Sequence, residues 1–120
     1  MSAKIMVVDD AAFMRLRSAR LLRENGYAVV EAENGAQAVQ LYQDARPDCV
    51  LMDITMPQMD GLEALTAIRK VDPAAKVAMV TAMGQQSIVM EALKAGARDF
   101  IVKPFQGDRV LAAVARLLGQ

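Results

Sequence analysis

The sequence predicts a doubly wound α/β domain, a five-stranded parallel sheet with helices on both faces. Three observations carry that prediction. Strand-like and helix-like stretches alternate five times along 120 residues. The strand-like stretches are continuous aliphatic runs, as expected of strands covered on both faces. The connections are short, as compact domains prefer. Right-handed crossovers would then bring every strand's C-terminal end to one edge of the sheet, where such folds bind ligands.

Residues 4–8 read as the first strand, and residues 11–25 as a helix with Met14, Ser18, Leu21 and Leu22 on one face and Gly26 as its C′ residue. Residues 27–32 form the second strand. Asn34 can cap a helix reaching about Asp44, with Val39 and Leu41 as apolar anchors. Residues 48–53 are the third strand. Asp60 and Glu63 have the spacing of a capping box, and Leu62, Leu65 and Ile68 make a helical stripe up to Lys70. Residues 76–81 are the fourth strand, and residues 85–95 a helix stopped by Gly96. Residues 98–102 are the fifth strand, and residues 105–118 a last helix with Val110, Val114, Leu117 and Leu118 inward.

A single domain over residues 1–120 is expected. Apolar residues make up 54% and aromatics 4%, so the core must be aliphatic and rich in Ala and Met. Lys plus Arg equals Asp plus Glu at 14 each, which argues against a basic nucleic-acid surface or a polybasic membrane patch. Histidine is absent, excluding a histidine base, metal ligand or phosphohistidine on this chain. The one cysteine, Cys49, lies in an apolar run, reads as a small core hydrophobe and has no partner for a disulfide. No apolar stretch approaches the roughly 20 residues of a membrane span. The strand-like run starting at Lys4 leaves no room for a signal peptide. A cytoplasmic protein is expected.

The apolar runs end on chemically useful residues. Lys4-Ile5-Met6-Val7-Val8 leads into Asp9-Asp10, Cys49-Val50-Leu51-Met52 into Asp53, Val77-Ala78-Met79-Val80 into Thr81, and Phe100-Ile101-Val102 into Lys103-Pro104. One such Asp is usually a cap or a solvating strand end. Three behind buried runs would repel, so either some are protonated or a cation neutralises them. Oxygen donors without His or Cys select a hard cation; magnesium, which keeps several waters and takes few protein carboxylates, fits better than calcium, and no calcium-loop spacing is present. Lys103, held at the edge by Pro104, could pair with an Asp or with phosphate oxygens. The Thr81 hydroxyl could donate to an anion. Together these groups suit phosphoryl transfer to a carboxylate nucleophile, with Asp53 the best acceptor because its strand is central.

At these residues the chain resembles the receiver domains of two-component signalling over essentially its whole length. The matching landmarks are Val7-Val8-Asp9-Asp10, Met52-Asp53-Ile54-Thr55-Met56-Pro57-Gln58-Met59-Asp60-Gly61, Val80-Thr81-Ala82 and Val102-Lys103-Pro104-Phe105. The resemblance implies the flavodoxin-like strand order 2-1-3-4-5. It implies that Asp53 accepts phosphate from the phosphohistidine of a histidine kinase. It also implies that Asp10 binds Mg2+ directly (Mn2+ substituting), Asp9 largely through water, and Thr55 through its backbone carbonyl. Lys103 would hold a phosphate oxygen, with Lys103-Pro104 cis. Thr81 would swing toward the phosphate and Phe100 rotate into the space it leaves. Such a chain is a switch that catalyses only its own phosphorylation and dephosphorylation.

Ala11-Ala12-Phe13-Met14-Arg15 and Ala82-Met83-Gly84-Gln85-Gln86 resemble chemotaxis receivers of the Bacillus and Thermotoga type. With no output domain after the last helix, the chain would act through partners. Those expected are a chemotaxis histidine kinase of the CheA type, a flagellar switch protein and a separate aspartyl-phosphate phosphatase, with the chain itself a monomer. On the fourth helix, Ile88, Ala92 and Ala95 can face the sheet. Val89 and Leu93 form a second stripe that, with Phe100, makes a candidate groove for a partner segment.

Three rival readings use the same residues. A phosphorelay intermediate would pass its phosphate to a second histidine protein. A phosphohydrolase of the haloacid-dehalogenase type would need a second Asp where Asp53-Ile54-Thr55 has Thr. A flavin carrier would need hydroxyls after the first strand, where Ala11-Ala12 stands, and aromatics to stack the ring. Within the receiver reading, Thr55 stands where the enterobacterial chemotaxis pattern has Asn, and Met83 where it has an acid. Met cannot orient a water by hydrogen bonding as a carboxylate can. Slow self-hydrolysis is expected, and Met83→Glu should speed loss of phosphate from the phosphorylated protein. An unchanged or slower rate would refute this.

Overall fold

The computed structural model describes residues 2–54, 56, 59–82 and 86–120, Gln86 by its backbone alone. Its elements run β1 (Lys4–Val8), α1 (Ala12–Glu24), β2 (Ala28–Ala32), α2 (Gly35–Ala45), β3 (Cys49–Asp53), α3 (Gly61–Val71), β4 (Val77–Ala82), α4 (Gln86–Lys94), β5 (Asp99–Lys103) and α5 (Gly107–Leu117). The five strands form one parallel sheet in the order β2-β1-β3-β4-β5, as the resemblance implies. Strand order reverses at β1 and β3, so the chain leaves these two neighbouring ends in opposite directions and opens a crevice between them. The receiver landmarks at Thr55 and Met83, and the expected helix start at Gln85, lie outside the described residues.

Side-chain alternation along the strands divides the core in two. Met6, Val8, Val50, Met52, Val77 and Met79 pack on one face with Ala38 and Tyr42 of α2, Leu65 and Ile68 of α3 and Ala92 of α4. Ile5, Val7, Leu51, Ala78, Val80 and Ile101 pack on the other with Leu22 of α1 and Val110, Val114 and Leu117 of α5. Cys49 is buried in the second layer, where burial pushes its thiol up to about 12. Each fully buried aliphatic side chain contributes roughly 1.5–3 kcal/mol, so the central strands hold the sheet edge rigidly for the residues that follow them.

The helix ends form largely for local reasons. Asn34 Oδ1 accepts the Gln37 N–H at 2.8 Å, and Asp60 Oδ1 accepts that of Glu63 at 2.9 Å. Each such cap stabilises its helix by about 1 kcal/mol. Gly26 follows α1 at φ +90, a conformation that favours glycine. The Tyr42 hydroxyl donates to Asp72 Oδ2 at 2.6 Å, tying α2 to the end of α3 and holding the Asp72 carboxyl below its usual range. No helix among the described residues is long and apolar enough to cross a membrane.

Three expectations are corrected. In α2 the fully buried anchors are Ala38 and Tyr42, while Val39 and Leu41 are only partly covered. The apolar run of β5 is not covered on both faces. Phe100 and Val102 remain 38% and 39% exposed, because β5 is an edge strand. Val89 does not share an outward stripe with Leu93. It is 7% exposed and belongs to the core with Ala92, so the inward arc of α4 passes through Val89 and leaves Met90 and Leu93 outside.

Candidate functional site

The ends of β1 and β3 place three carboxylates together. One oxygen each from Asp9, Asp10 and Asp53 lies within 4.8 Å of the others, with Asp9 and Asp53 buried and Asp10 exposed. Asp9 is fixed by its own turn, since its Oδ1 accepts the Ala11 N–H at 2.9 Å. Its N–H donates to the Ala32 carbonyl at 3.1 Å. Asp53 ends β3 opposite Val80 of β4. Just beyond it, the Gly61 N–H donates to the Ile54 carbonyl at 2.7 Å, and a Cβ at Gly61 would collide with the Asp53 carbonyl oxygen. Only glycine permits α3 to begin so close to the candidate acceptor.

Lys103 reaches the cluster from the end of β5. Its Nζ lies 3.4 Å from Asp9 Oδ2 and 3.7 Å from Asp53 Oδ2, and the Lys103-Pro104 bond is cis. One ammonium does not balance the crowd. Burial pushes the Asp53 carboxyl up to about 6; Lys103 opposes that rise, and Asp9 and Asp10 add to it. Two buried carboxylates and one exposed one, offering oxygen donors alone, form a set suited to a hard divalent cation. The cluster of Asp9, Asp10 and Asp53 could therefore hold a metal ion.

Thr81 follows Val80 on β4 and is 2% exposed, with its hydroxyl 3.2 Å from the Ala82 carbonyl. The β4–β5 register pairs Met79 with Phe100 and Thr81 with Val102. Phe100 and Thr81 therefore share the sheet face that α4 covers. The structure thus brings Asp9, Asp10, Asp53 and Lys103 into one cluster, sets Thr81 at the next strand end, and puts Phe100 and Leu93 on the surface beside α4. Two contributors stand in the matching sequence runs but received no role from sequence. Gly61 had a signal, a poor helix former at the first position after a cap. Arg15, whose Nη1 donates to the Asp9 carbonyl at 2.8 Å, had none in its local spacing.

A family model described as the response regulator receiver domain matches residues 5–115. The chain is 57% identical to the chemotaxis protein CheY of Bacillus subtilis (strain 168), over 98% of this chain and 99% of that one. It is 51% identical to the chemotaxis protein CheY of Thermotoga maritima, over 98% of each. Among solved structures, that of the CheX–CheY–BeF3–Mg2+ complex from Borrelia burgdorferi matches with a TM-score of 0.90 at 34% identity, over 96% of this chain and 88% of that chain.

The raised Asp53 carboxyl has a consequence for stability. A carboxyl whose folded value lies above its unfolded one destabilises the fold as pH rises through about 4 to 6, and fully above that. Asp53→Asn should therefore stabilise the metal-free protein at pH 7 by on the order of 1–2 kcal/mol after solvent screening, with the gain gone near pH 3. Thermal unfolding across pH measures this. Equal or lower stability of the variant at pH 7 would contradict the crowding.

Proposed function

The chain belongs to the response regulator receiver family, and on that premise we propose that it is a chemotaxis receiver switched by phosphorylation of Asp53. The observation that carries the proposal is the Asp53 carboxylate itself, 7% exposed, crowded by two acids and faced by the Lys103 ammonium at 3.7 Å. In the proposed reaction an Asp53 oxygen attacks the phosphorus of a kinase phosphohistidine. The new P–O bond forms as the P–N bond breaks, and the imidazole leaves with a proton taken from solvent. Lys103 then pairs with a phosphoryl oxygen in place of the carboxylates it now faces, and the Thr81 hydroxyl turns to donate to another. Asp10, the exposed acid, would hold Mg2+ directly. Asp9 is already engaged with Ala11 and Lys103 and would act through water, and the Thr55 backbone carbonyl would complete the protein ligands. The metal supplies charge neutralisation for the phosphoryl oxygens.

Movement of Thr81 would vacate space on the face it shares with Phe100, and inward rotation of Phe100 would change the surface beside Leu93 and Met90. That surface is the proposed docking face for the flagellar switch protein. The kinase would be of the chemotaxis type, and a separate phosphatase would reset the switch. We place the protein in the cytoplasm as a monomer, the whole chain being one receiver domain.

The reading is tested by incubating the chain with a labelled chemotaxis kinase. Label should reach the protein, and both Asp53→Asn and chelation of divalent metal should abolish transfer; persistent labelling of the variant would refute the acceptor. Leu93→Asp should lose switch-protein binding while accepting phosphate normally. The same change at Val89 would bury a charge in the core and report only unfolding. Undiminished binding by Leu93→Asp would move the docking face elsewhere.

A further inference from the structure

The structure assigns Arg15 a positioning role toward the acidic cluster, an assignment that rests on the reading of that cluster as the Mg2+ and phosphoryl site. Helix α1 begins without the usual support. Its N-cap residue is Ala11, which makes no side-chain cap, and its first turn holds no acid. Ala is among the poorest N-caps. Yet the turn just before this helix carries Asp9 and Asp10, whose carboxylates must be held still to bind a cation.

Arg15 supplies the missing support. It is the fourth residue of α1, and its guanidinium turns back over the helix start so that Nη1 donates to the Asp9 carbonyl at 2.8 Å. The rest of the fork is held from β2 and the residue just past its end, with Nε 3.4 Å from Glu31 Oε1 and Nη2 4.0 Å from Glu33 Oε2. The Arg15 side chain is 14% exposed and that of Glu31 24%, so the pair is largely withdrawn from water. A cation this near a helix N-terminus opposes the helix dipole. Its place is explained by geometry, because the planar fork offers one nitrogen to the Asp9 carbonyl and another to the Glu31 carboxylate of the next strand.

Arg15 touches no carboxylate of the cluster. It acts through the backbone of Asp9, whose N–H donates to Ala32 and whose carbonyl accepts from Arg15, so the Asp9–Ala11 turn is tied on both sides. Loss of the tether frees the carbonyl side of that turn and with it the aim of Asp9 and Asp10. Supporting groups around metal ligands are typically worth roughly 10–100-fold in affinity. Glu31, whose other oxygen pairs with Arg23 Nη2 at 3.4 Å, lies outside the cluster and should affect it through Arg15, whose guanidinium it holds.

The test is calorimetric titration of Mg2+ into the full chain, with metal-free thermal unfolding measured in parallel. Arg15→Gln should weaken Mg2+ binding roughly tenfold or more. Glu31→Gln should weaken it in the same direction, and the double variant should be no weaker than Arg15→Gln alone. Arg15→Lys should fail to restore affinity, because a compact ammonium lacks the separated, fixed donors with which the guanidinium holds the Asp9 carbonyl and Glu31 together. Unchanged affinity in Arg15→Gln, or effects of the two single variants that multiply in the double, would overturn the assignment. If Arg15→Gln does not fold, Arg15→Lys and Glu31→Gln decide, and unchanged affinity in both overturns it. Absence of any Mg2+ response in the unaltered chain would instead overturn the site reading on which the assignment stands.

Discussion

The structure depends on one electrostatic imbalance: three carboxylates gathered at the end of a buried sheet, with a single lysine ammonium facing them among the described residues. Burial of Asp9 and Asp53 removes the water that would ordinarily screen their repulsion, and Lys103 at 3.4 and 3.7 Å offsets only part of it. The fold accepts this because the strands beneath are among its best-packed elements. β3 is buried along its entire length, and four of the five residues of β1 are. Packing of that quality lets a destabilising cluster persist, as functional sites commonly require. The same imbalance is what a divalent cation would relieve, and the added positive charge would then let the site accept a negatively charged phosphoryl group.

The second constraint is close approach. Gly61 allows α3 to start against the Asp53 carbonyl, and Arg15 turns back onto the Asp9 carbonyl. The two most buried acids of the site are therefore held from the backbone side by the element that follows each of them. Their side chains remain aimed into the crevice between β1 and β3. Thr81, one strand further along, stands between this crevice and the edge strand that carries Phe100. A change at the carboxylates thus has a short route to the surface beside Leu93 and Met90.

Much of this was legible in the sequence because the informative features are contiguous. An apolar run and the polar residue ending it are read together, so Asp9, Asp10, Asp53, Thr81 and Lys103 could be placed at one edge before any coordinates. The Asn34 and Asp60 caps were legible for the same reason. What escaped depends on neighbours distant in sequence. The burial of Val89 is set by which arc of a nine-residue helix meets the sheet and α3, and its apolar residues fit more than one arc. The exposure of Phe100 and Val102 follows from β5 lying at the sheet edge, a matter of topology rather than composition. Arg15 resembles any surface arginine until β2 brings Glu31 alongside it.

The central claim is that Asp53 is held in a charge-crowded, desolvated state that a divalent cation relieves. The most direct measurement is a pH titration of its carboxyl carbon by NMR, assigned by its absence in Asp53→Asn, with and without Mg2+. The account predicts a metal-free midpoint near pH 6 that falls when Mg2+ is added. A metal-free midpoint near the ordinary value of about 4, unmoved by Mg2+, would contradict it.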